Sequence, residues 1–219
     1  MNHSKHKKEG KMIFIEGNIG TGKSTFLTHL ADEGVKVVLE PVDEWTKMKN
    51  SNGKNIIEEF YSDPARNAYL FQSIAFRSRM KNITHKEGYF IERSIFTDRN
   101  IFAQTCRDDG LIGDIEWDDY VSWFDWLTQE FKVSPKGFVY LRCEPEVSYG
   151  RIKKRNRSGE EAISFEYLQK LHTKHDEWLL NEKTTKVLVF DVNAESTPER
   201  MQEMTDTVKK FYECQTECV

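Results

Sequence analysis

Cysteine is scarce and scattered: among 219 residues it occurs at Cys106, Cys143, Cys214 and Cys218, with no CxxC spacing and no His pair nearby at ligand spacing. Neither a zinc site nor a dithiol redox motif is indicated, and free thiols in a reducing compartment are expected. Long apolar runs are missing too. The start, MNHSKHKKEGKM, is basic but leads into a strand-like pentapeptide rather than an apolar signal core, and no stretch approaches the length of a membrane span. A surplus of positive charge is also absent, with 32 Lys+Arg against 36 Asp+Glu and a formal net charge of -4. That balance argues against a general nucleic-acid or anionic-membrane binder, so any anion site must be local. No repeat and no low-complexity linker breaks the chain, which reads as a single domain over 1–219 with residues 1–10 expected to be disordered. A cytosolic or nuclear location is expected.

What is present fits an ordinary globular chain: 38% hydrophobic, 12% aromatic and 31% charged residues. Disorder, a collagen repeat and a disulfide scaffold are excluded by this composition. A chain of this length buries roughly 70% of its unfolded surface, so a sizeable core needs no metal or disulfide.

Short apolar runs recur at Met12 to Glu16, Val35 to Leu39, Tyr89 to Ile91, Phe138 to Leu141 and Val187 to Phe190, with long polar-apolar segments between them. Short buried strands alternating with helices predict an α/β fold, a five-stranded parallel sheet covered on both faces. Between the third and fourth strands, Trp117, Tyr120, Val121, Trp123, Phe124, Trp126 and Leu127 are apolar around more than one helical face. Such a helix is either buried widely in the core or placed at an interface.

Gly17-Asn18-Ile19-Gly20-Thr21-Gly22-Lys23-Ser24 satisfies GxxxxGK[ST] and falls between a predicted strand and a predicted helix. The glycines let successive backbone N–H groups turn toward phosphates, and the helix N-terminus adds partial positive charge. Lys23 would neutralise β/γ oxygens, and Ser24 would ligate Mg²⁺. No NKxD-like guanine motif is present, and the fourth strand ends in Leu141-Arg142-Cys143 rather than in a magnesium-binding Asp. The second acidic metal contact must therefore lie elsewhere, and Glu92 is the natural candidate.

In open parallel sheets, ligands bind outside the carboxyl ends of the strands. Glu40 follows strand two and Glu92 strand three, so both are expected to face the phosphate loop. A hydroxyl nucleophile attacking a γ-phosphate needs an acceptor for its proton. Glu40 is assigned that task and Glu92 the metal, although the reverse stays open because strand order in space is not visible in a sequence. Arg93 follows directly and could neutralise charge developing on the transferred group. Arg151, Lys153, Lys154, Arg155 and Arg157 place five cations in seven residues. In isolation this would be a solvated helix face. Beside a phosphate loop it reads as a lid, about 151–161, that closes cations over the phosphates.

These residues carry a resemblance to the deoxynucleoside kinases related to deoxycytidine and deoxyguanosine kinase. It spans nearly the whole chain and rests on IEGNIGTGKST from Ile15 to Thr25, EPVDEW from Glu40 to Trp45, FQSIAFRSR from Phe71 to Arg79, and ERSIFTDRNIFA from Glu92 to Ala103. RIKKRNR from Arg151 to Arg157, EYLQKLHTKHDEWL from Glu166 to Leu179, and DVN from Asp191 to Asn193 complete it. The resemblance implies ATP or another triphosphate as donor, Mg²⁺, a deoxynucleoside acceptor and a homodimer. It implies that Glu40 takes the 5′-hydroxyl proton with Arg93 beside it, and that Tyr61 and Glu160 bind the 3′-hydroxyl. Gln72 would pair with the base edge, and Trp45, Phe71 and Phe102 would wall the base, although taken alone these aromatics read as ordinary core. Asp191, Val192 and Asn193 would lie near the adenine of ATP.

Three further positions implied by the resemblance, Ala75, Arg79 and Asp98, bear on specificity. An Arg–Asp pair at the base edge puts polar groups where thymine's 5-methyl needs apolar room, so thymidine is expected to be disfavoured. Gly20-Thr21 departs from small Ala residues in cytidine kinase, which should be harmless. Ile74 and Phe76 stand where members differ, which leaves cytosine against purine undecided. The short N-terminus shows no evident mitochondrial leader, as in a cytosolic or viral version. Two rivals remain: a thymidylate-type nucleoside monophosphate kinase, which would need an Arg for the acceptor phosphate, and a sensor in which ATP only switches conformation.

Overall fold

Met12–Glu16 (β1) is buried along its whole length and its side chains alternate, Met12 and Phe14 entering one apolar cluster, Ile13 and Ile15 another. A strand buried on both faces must sit in the middle of a covered sheet. In the computed structural model, which describes residues 12–84, 86–157 and 159–217, β1 is that central strand. The stretch 1–10, Ser158 of the expected lid and Cys218 lie outside the described residues.

Val37–Val38 (β2), Phe90–Glu92 (β3), Pro135–Arg142 (β4) and Val187–Asp191 (β5) join β1 in one five-stranded sheet of order β2-β3-β1-β4-β5. Every pairing is parallel, as the sequence pattern predicts. The second strand is shorter than the expected Val35 to Leu39. It is an edge strand paired only through Val37 and Val38, and Leu39 is already 46% exposed. The fourth is longer, opening at Pro135 because Pro135 and Gly137 pair with Met12 and Ile13 of β1. The third runs one residue further than expected, which puts Glu92 on the strand itself.

Lys23–Asp32 (α1) and Pro198–Glu217 (α5) cover one face of the sheet, their Phe26, Leu27, Leu30, Met204 and Val208 packing on Ile13, Ile15, Val139 and Leu141. Pro64–Ile83 (α2), Asp114–Glu130 (α3) and Phe165–Leu179 (α4) cover the other through Phe76, Met80, Tyr120, Phe124 and Leu179. The aromatic helix α3 thus has two destinations: Tyr120 and Phe124 enter the core, while Trp123 and Trp126 stay 47% and 54% exposed. Pro at the first turn of α2 and Asp63 accepting from the Arg66 N–H fix where that helix starts. The chain runs to one side of β1 for β2 and β3 and to the other for β4 and β5. The crevice at the carboxyl end of β1 is therefore the topological switch point, where ligands bind in such sheets. No helix among the described residues is long and apolar enough to cross a membrane.

Candidate active site

The phosphate loop leaves β1 at Gly17, whose φ of 146° leaves no room for a side chain: a Cβ there would lie 2.7 Å from the Leu141 carbonyl oxygen. At Gly20, φ 82°, a Cβ would meet the Ser148 carbonyl at the same 2.7 Å. Glycine is required at both by neighbouring backbone as well as by conformation. Asn18 and Thr21 shape the loop. The Asn18 amide donates to the Leu168 carbonyl at 2.9 Å and its oxygen accepts the Ile19 N–H at 2.8 Å, while the Thr21 hydroxyl donates to the Asn18 carbonyl at 3.1 Å.

Lys23 folds back over this loop, its Nζ donating to the Gly17 and Asn18 carbonyls at 2.9 and 2.7 Å. Burial, with the neighbouring Arg93 guanidinium, lowers its pKa to about 7, against the opposing pull of Glu92 and Glu40. Between about 7 and 10.5 the folded chain holds fewer protons here than the unfolded one, so this group makes stability rise with pH through that window. Phosphate oxygens arriving at Nζ restore the ammonium. A triphosphate binding here is therefore expected to bring more proton uptake at Lys23 at pH 8 than at pH 6. Titration calorimetry in buffers of different ionisation enthalpy reads this directly, and heats independent of buffer at pH 8 would contradict it.

Ser24, on the first turn of α1, donates its hydroxyl to Glu92 Oε1 at 2.6 Å, and Glu92 Oε2 accepts the Glu40 backbone N–H at 3.2 Å. Two oxygen donors side by side at the loop suit a hard divalent cation. Glu40 itself lies between two guanidiniums, 2.8 Å from Arg79 Nη2 and 3.4 Å from Arg93 Nε. Burial pushes its carboxyl up, but Arg93, Arg79 and Lys23 together overcome this and hold it down at about 2. Arg79 is fully engaged: Nε donates to Asp98 at 2.8 Å, Nη1 to the Glu92 carbonyl at 3.0 Å and Nη2 to Glu40. Burial pushes the Asp98 carboxyl up, with Arg79 opposing. Arg93 adopts a left-handed φ of 59° and lays its guanidinium over the Phe102 ring at 4.3 Å. Asp98 and Phe102 share a π-helical turn, Asp98–Ala103, that follows the short helix Ile95–Thr97. Such turns concentrate at functional sites.

These groups line one cavity of about 250 Å³. Trp45, Phe71, Phe102, Gln72, Ala75, Tyr61 and Glu160 line it as well. Trp45 meets Phe71 edge-on at 5.7 Å and is pinned by its indole N–H to Ser78 at 2.8 Å. The Gln72 amide donates to the Cys106 sulfur at 3.7 Å. Glu160 accepts three hydrogen bonds from Arg155, of 2.6, 2.7 and 3.2 Å, and stands 3.7 Å from Arg157. Every residue that the sequence suggested for the acceptor side is thus gathered in one place.

Within the stretch expected to form the lid, Arg151 to Arg155 are the last turns of the helix Pro145–Arg155. Of the five cations only Arg155 and Arg157 line the cavity. Arg151 points the other way, donating to the Asn193 and Ala194 carbonyls at 3.3 and 3.0 Å. With Val192, the loop residues Thr21 and Gly22, and Thr25 of α1 it lines a second cavity of about 470 Å³. Asp191 and Asn193 shape that region, Asp191 accepting the Asn193 N–H at 2.9 Å and Asn193 accepting the Glu144 N–H at 2.8 Å. Residues that sequence reasoning missed include Val42, Ile57, Phe60 and Tyr167, all lining the first cavity. Tyr167 sits one turn after the Ser164 cap of α4, and nothing in its spacing separates it from core positions of that helix such as Leu168 and Leu171.

A GxxxxGK[ST] loop at the switch point of a parallel sheet, with a carboxylate bonded to its Ser and cations beyond, defines a P-loop phosphotransferase. The family model described as deoxynucleoside kinase matches residues 13–213. The chain belongs to the deoxynucleoside kinase family and is a kinase, a transferase. It is 39% identical over 192 residues to a probable deoxycytidine kinase of Fowlpox virus, covering 84% of this chain and 79% of the viral protein. To deoxycytidine kinase of Mus musculus it is 36% identical over 237 residues, 92% of this chain and 90% of that protein. To a mitochondrial deoxyguanosine kinase of Xenopus laevis it is 33% identical over 208 residues, 84% and 78% of the two chains.

Proposed function

We propose that the protein, acting as a single domain, transfers the γ-phosphate of ATP to the 5′-hydroxyl of a deoxynucleoside, with deoxycytidine or a purine deoxynucleoside preferred over thymidine. The observation that carries this reading is the placement of Glu40 between Arg79 and Arg93 inside an aromatic-walled cavity whose other end is the phosphate loop. Glu40 orients the 5′-hydroxyl and takes its proton. A carboxylate held at about 2 is a weak acceptor, so the proton moves late, when the oxygen is already bonding to phosphorus, which suits a loose transition state. Lys23, Arg93 and the lid residues Arg155 and Arg157 hold the phosphate charges, with Arg151 on the donor side toward Asp191, Val192 and Asn193. Ser24 and Glu92 would hold Mg²⁺, which would supply positive charge against the donor phosphate oxygens.

On the acceptor side, Tyr61 and Glu160 bind the sugar 3′-hydroxyl and Gln72 reads the base edge between Trp45, Phe71 and Phe102. The Arg79–Asp98 pair beside Ala75 is polar where thymine would place its methyl group. A monophosphate acceptor fits less well, because Arg79 already serves Asp98, Glu40 and the Glu92 carbonyl. The exposed Trp123 and Trp126 on α3 support a homodimer built through that face. We place the enzyme in the cytosol or nucleus.

The test is Mg²⁺-dependent transfer from ATP to deoxycytidine, deoxyadenosine, deoxyguanosine, thymidine and their 5′-monophosphates. Turnover of unphosphorylated deoxynucleosides with thymidine the poorest is expected. Thymidine as best acceptor would sink the specificity reading. Activity confined to monophosphates would move the acceptor site, and ATP binding without any transfer would favour the sensor.

A further inference from the structure

Glu16 closes β1 immediately before the phosphate loop, with 0% of its surface exposed, and the transfer reaction as described makes no use of it. A carboxylate so placed must be satisfied by protein donors. Its Oε1 accepts the Ser94 backbone N–H at 3.0 Å and its Oε2 accepts the Thr97 hydroxyl at 2.6 Å. Both donors belong to the segment that carries the far wall of the active site. Between Glu92 and Ser94 stands Arg93, in the left-handed φ of 59° that a side chain adopts only when its surroundings impose it. The Arg93 N–H donates to the Ile15 carbonyl at 2.9 Å. The strained residue is thus tied to β1 by its own N–H, and the next residue is tied to β1 by Glu16. Ser94 then caps the Ile95–Thr97 helix by accepting the Thr97 N–H at 3.1 Å, and the π-helical turn with Asp98 and Phe102 follows without a break.

We propose that Glu16 is a positioning residue for the transfer: through Ser94 and Thr97 it holds Arg93 in the turn that aims its guanidinium at Glu40, and it fixes the start of the segment bearing Asp98 and Phe102. The inference rests on the kinase reading above for its catalytic consequence, and on the hydrogen bonds alone for the anchoring. Gln can replace Glu here without losing either tether. Its oxygen still accepts from Ser94, and its NH₂ donates to the Thr97 hydroxyl, which accepts as readily as it donates. Ala removes both tethers, and Thr97→Val removes one.

The experiment compares Glu16→Ala, Glu16→Gln, Thr97→Val, Arg93→Ala and the Glu16→Ala/Arg93→Ala double variant in steady-state transfer and in amide hydrogen exchange. Glu16→Ala is expected to lower kcat about 100-fold, the scale of a misplaced reacting group. KM for ATP should stay within about threefold, because Lys23 keeps its bonds to the Gly17 and Asn18 carbonyls. Glu16→Gln should keep kcat within about fivefold and Thr97→Val should fall between the two, which carries the test if the Ala variant fails to fold. Because Glu16 acts through Arg93, the double variant should lie no more than about threefold below Arg93→Ala alone. Wild-type kcat in Glu16→Ala, a Gln variant as impaired as Ala, or fully additive losses would each overturn the proposal. Exchange at the Ser94 and Thr97 amides needs no turnover. Protection that is lost in Glu16→Ala while the wild type proves inactive would establish the anchoring and refute the kinase reading. Protection unchanged in Glu16→Ala would overturn the anchoring whatever the activity.

Discussion

Glu40→Gln is expected to lower kcat for phosphate transfer by about 10³-fold, within the range that a positioned proton acceptor contributes. The amide keeps the shape of the side chain and its oxygen can still meet Arg79 Nη2, now at 2.8 Å. What it loses is the capacity to accept the 5′-hydroxyl proton and the negative charge between two guanidiniums. KM for ATP should change little, because Lys23, Ser24 and Glu92 retain their own partners. The wild-type pH profile constrains the same residue. A carboxyl held at about 2 in the folded chain, against 4.5 ordinarily, contributes stability that is present above the ordinary value and lost as pH falls toward 2. An acidic limb in the rate profile near pH 5 to 6 would accordingly not belong to Glu40. Steady-state rates for the variant settle the assignment: a kcat within threefold of wild type would remove Glu40 from the chemistry and turn attention to Glu92.

Arg79→Met is expected to destabilise the fold by about 3 to 5 kcal/mol, the cost of breaking a buried ion pair from one side. The arginine side chain is 3% exposed and so is that of Asp98, while Glu40 is 19% exposed. Methionine matches the aliphatic stem but abandons both carboxylates and the Glu92 carbonyl. In a chain of this size the melting temperature should drop on the order of 10 °C. The deficit should depend on pH with a definite sign. Burial already pushes the Asp98 carboxyl up against Arg79. Without the guanidinium the folded state binds a proton there more readily than the unfolded chain does, so stability falls as pH rises. The gap from wild type should therefore narrow between pH 8 and pH 6. Denaturant melts at the two pH values provide the check, and a gap that stays constant would mean that Asp98 is satisfied by some other group.

Much of this architecture was legible in the residues, for identifiable reasons. β1, the phosphate loop and α1 were readable because a fully apolar pentapeptide, a turn needing glycine at backbone contacts and a helix start follow in sequence, each a local signal. Glu92 was readable as a strand-end carboxylate, and the shared cavity for Tyr61, Gln72, Arg79, Asp98 and Glu160 was expected from the family resemblance. The edge strand β2 was overextended because apolar content does not reveal how many partners a strand has. The division of labour among the five cations was not legible, because five in seven residues look alike in sequence, whereas the geometry of a helix end sends Arg151 one way and Arg155 the other. The π-helical turn and the tethers from Glu16 were invisible. One depends on an inserted residue within a helix and the other on contacts 78 and 81 positions apart.

The burial of β1 between two parallel neighbours also governs how the molecule is made. Ile13 has its partners at Phe90 on one side and Gly137 on the other. On the ribosome the strand that feeds the nucleotide site emerges first and must wait for most of the chain before its second flank can close. Parallel pairings of such sequence separation form slowly, because the loop entropy is lost before the contacts reward it. The nucleotide pocket is therefore a late product of assembly, and nascent chains arrested before residue 142 present an apolar, half-paired strand that invites chaperones rather than nucleotide.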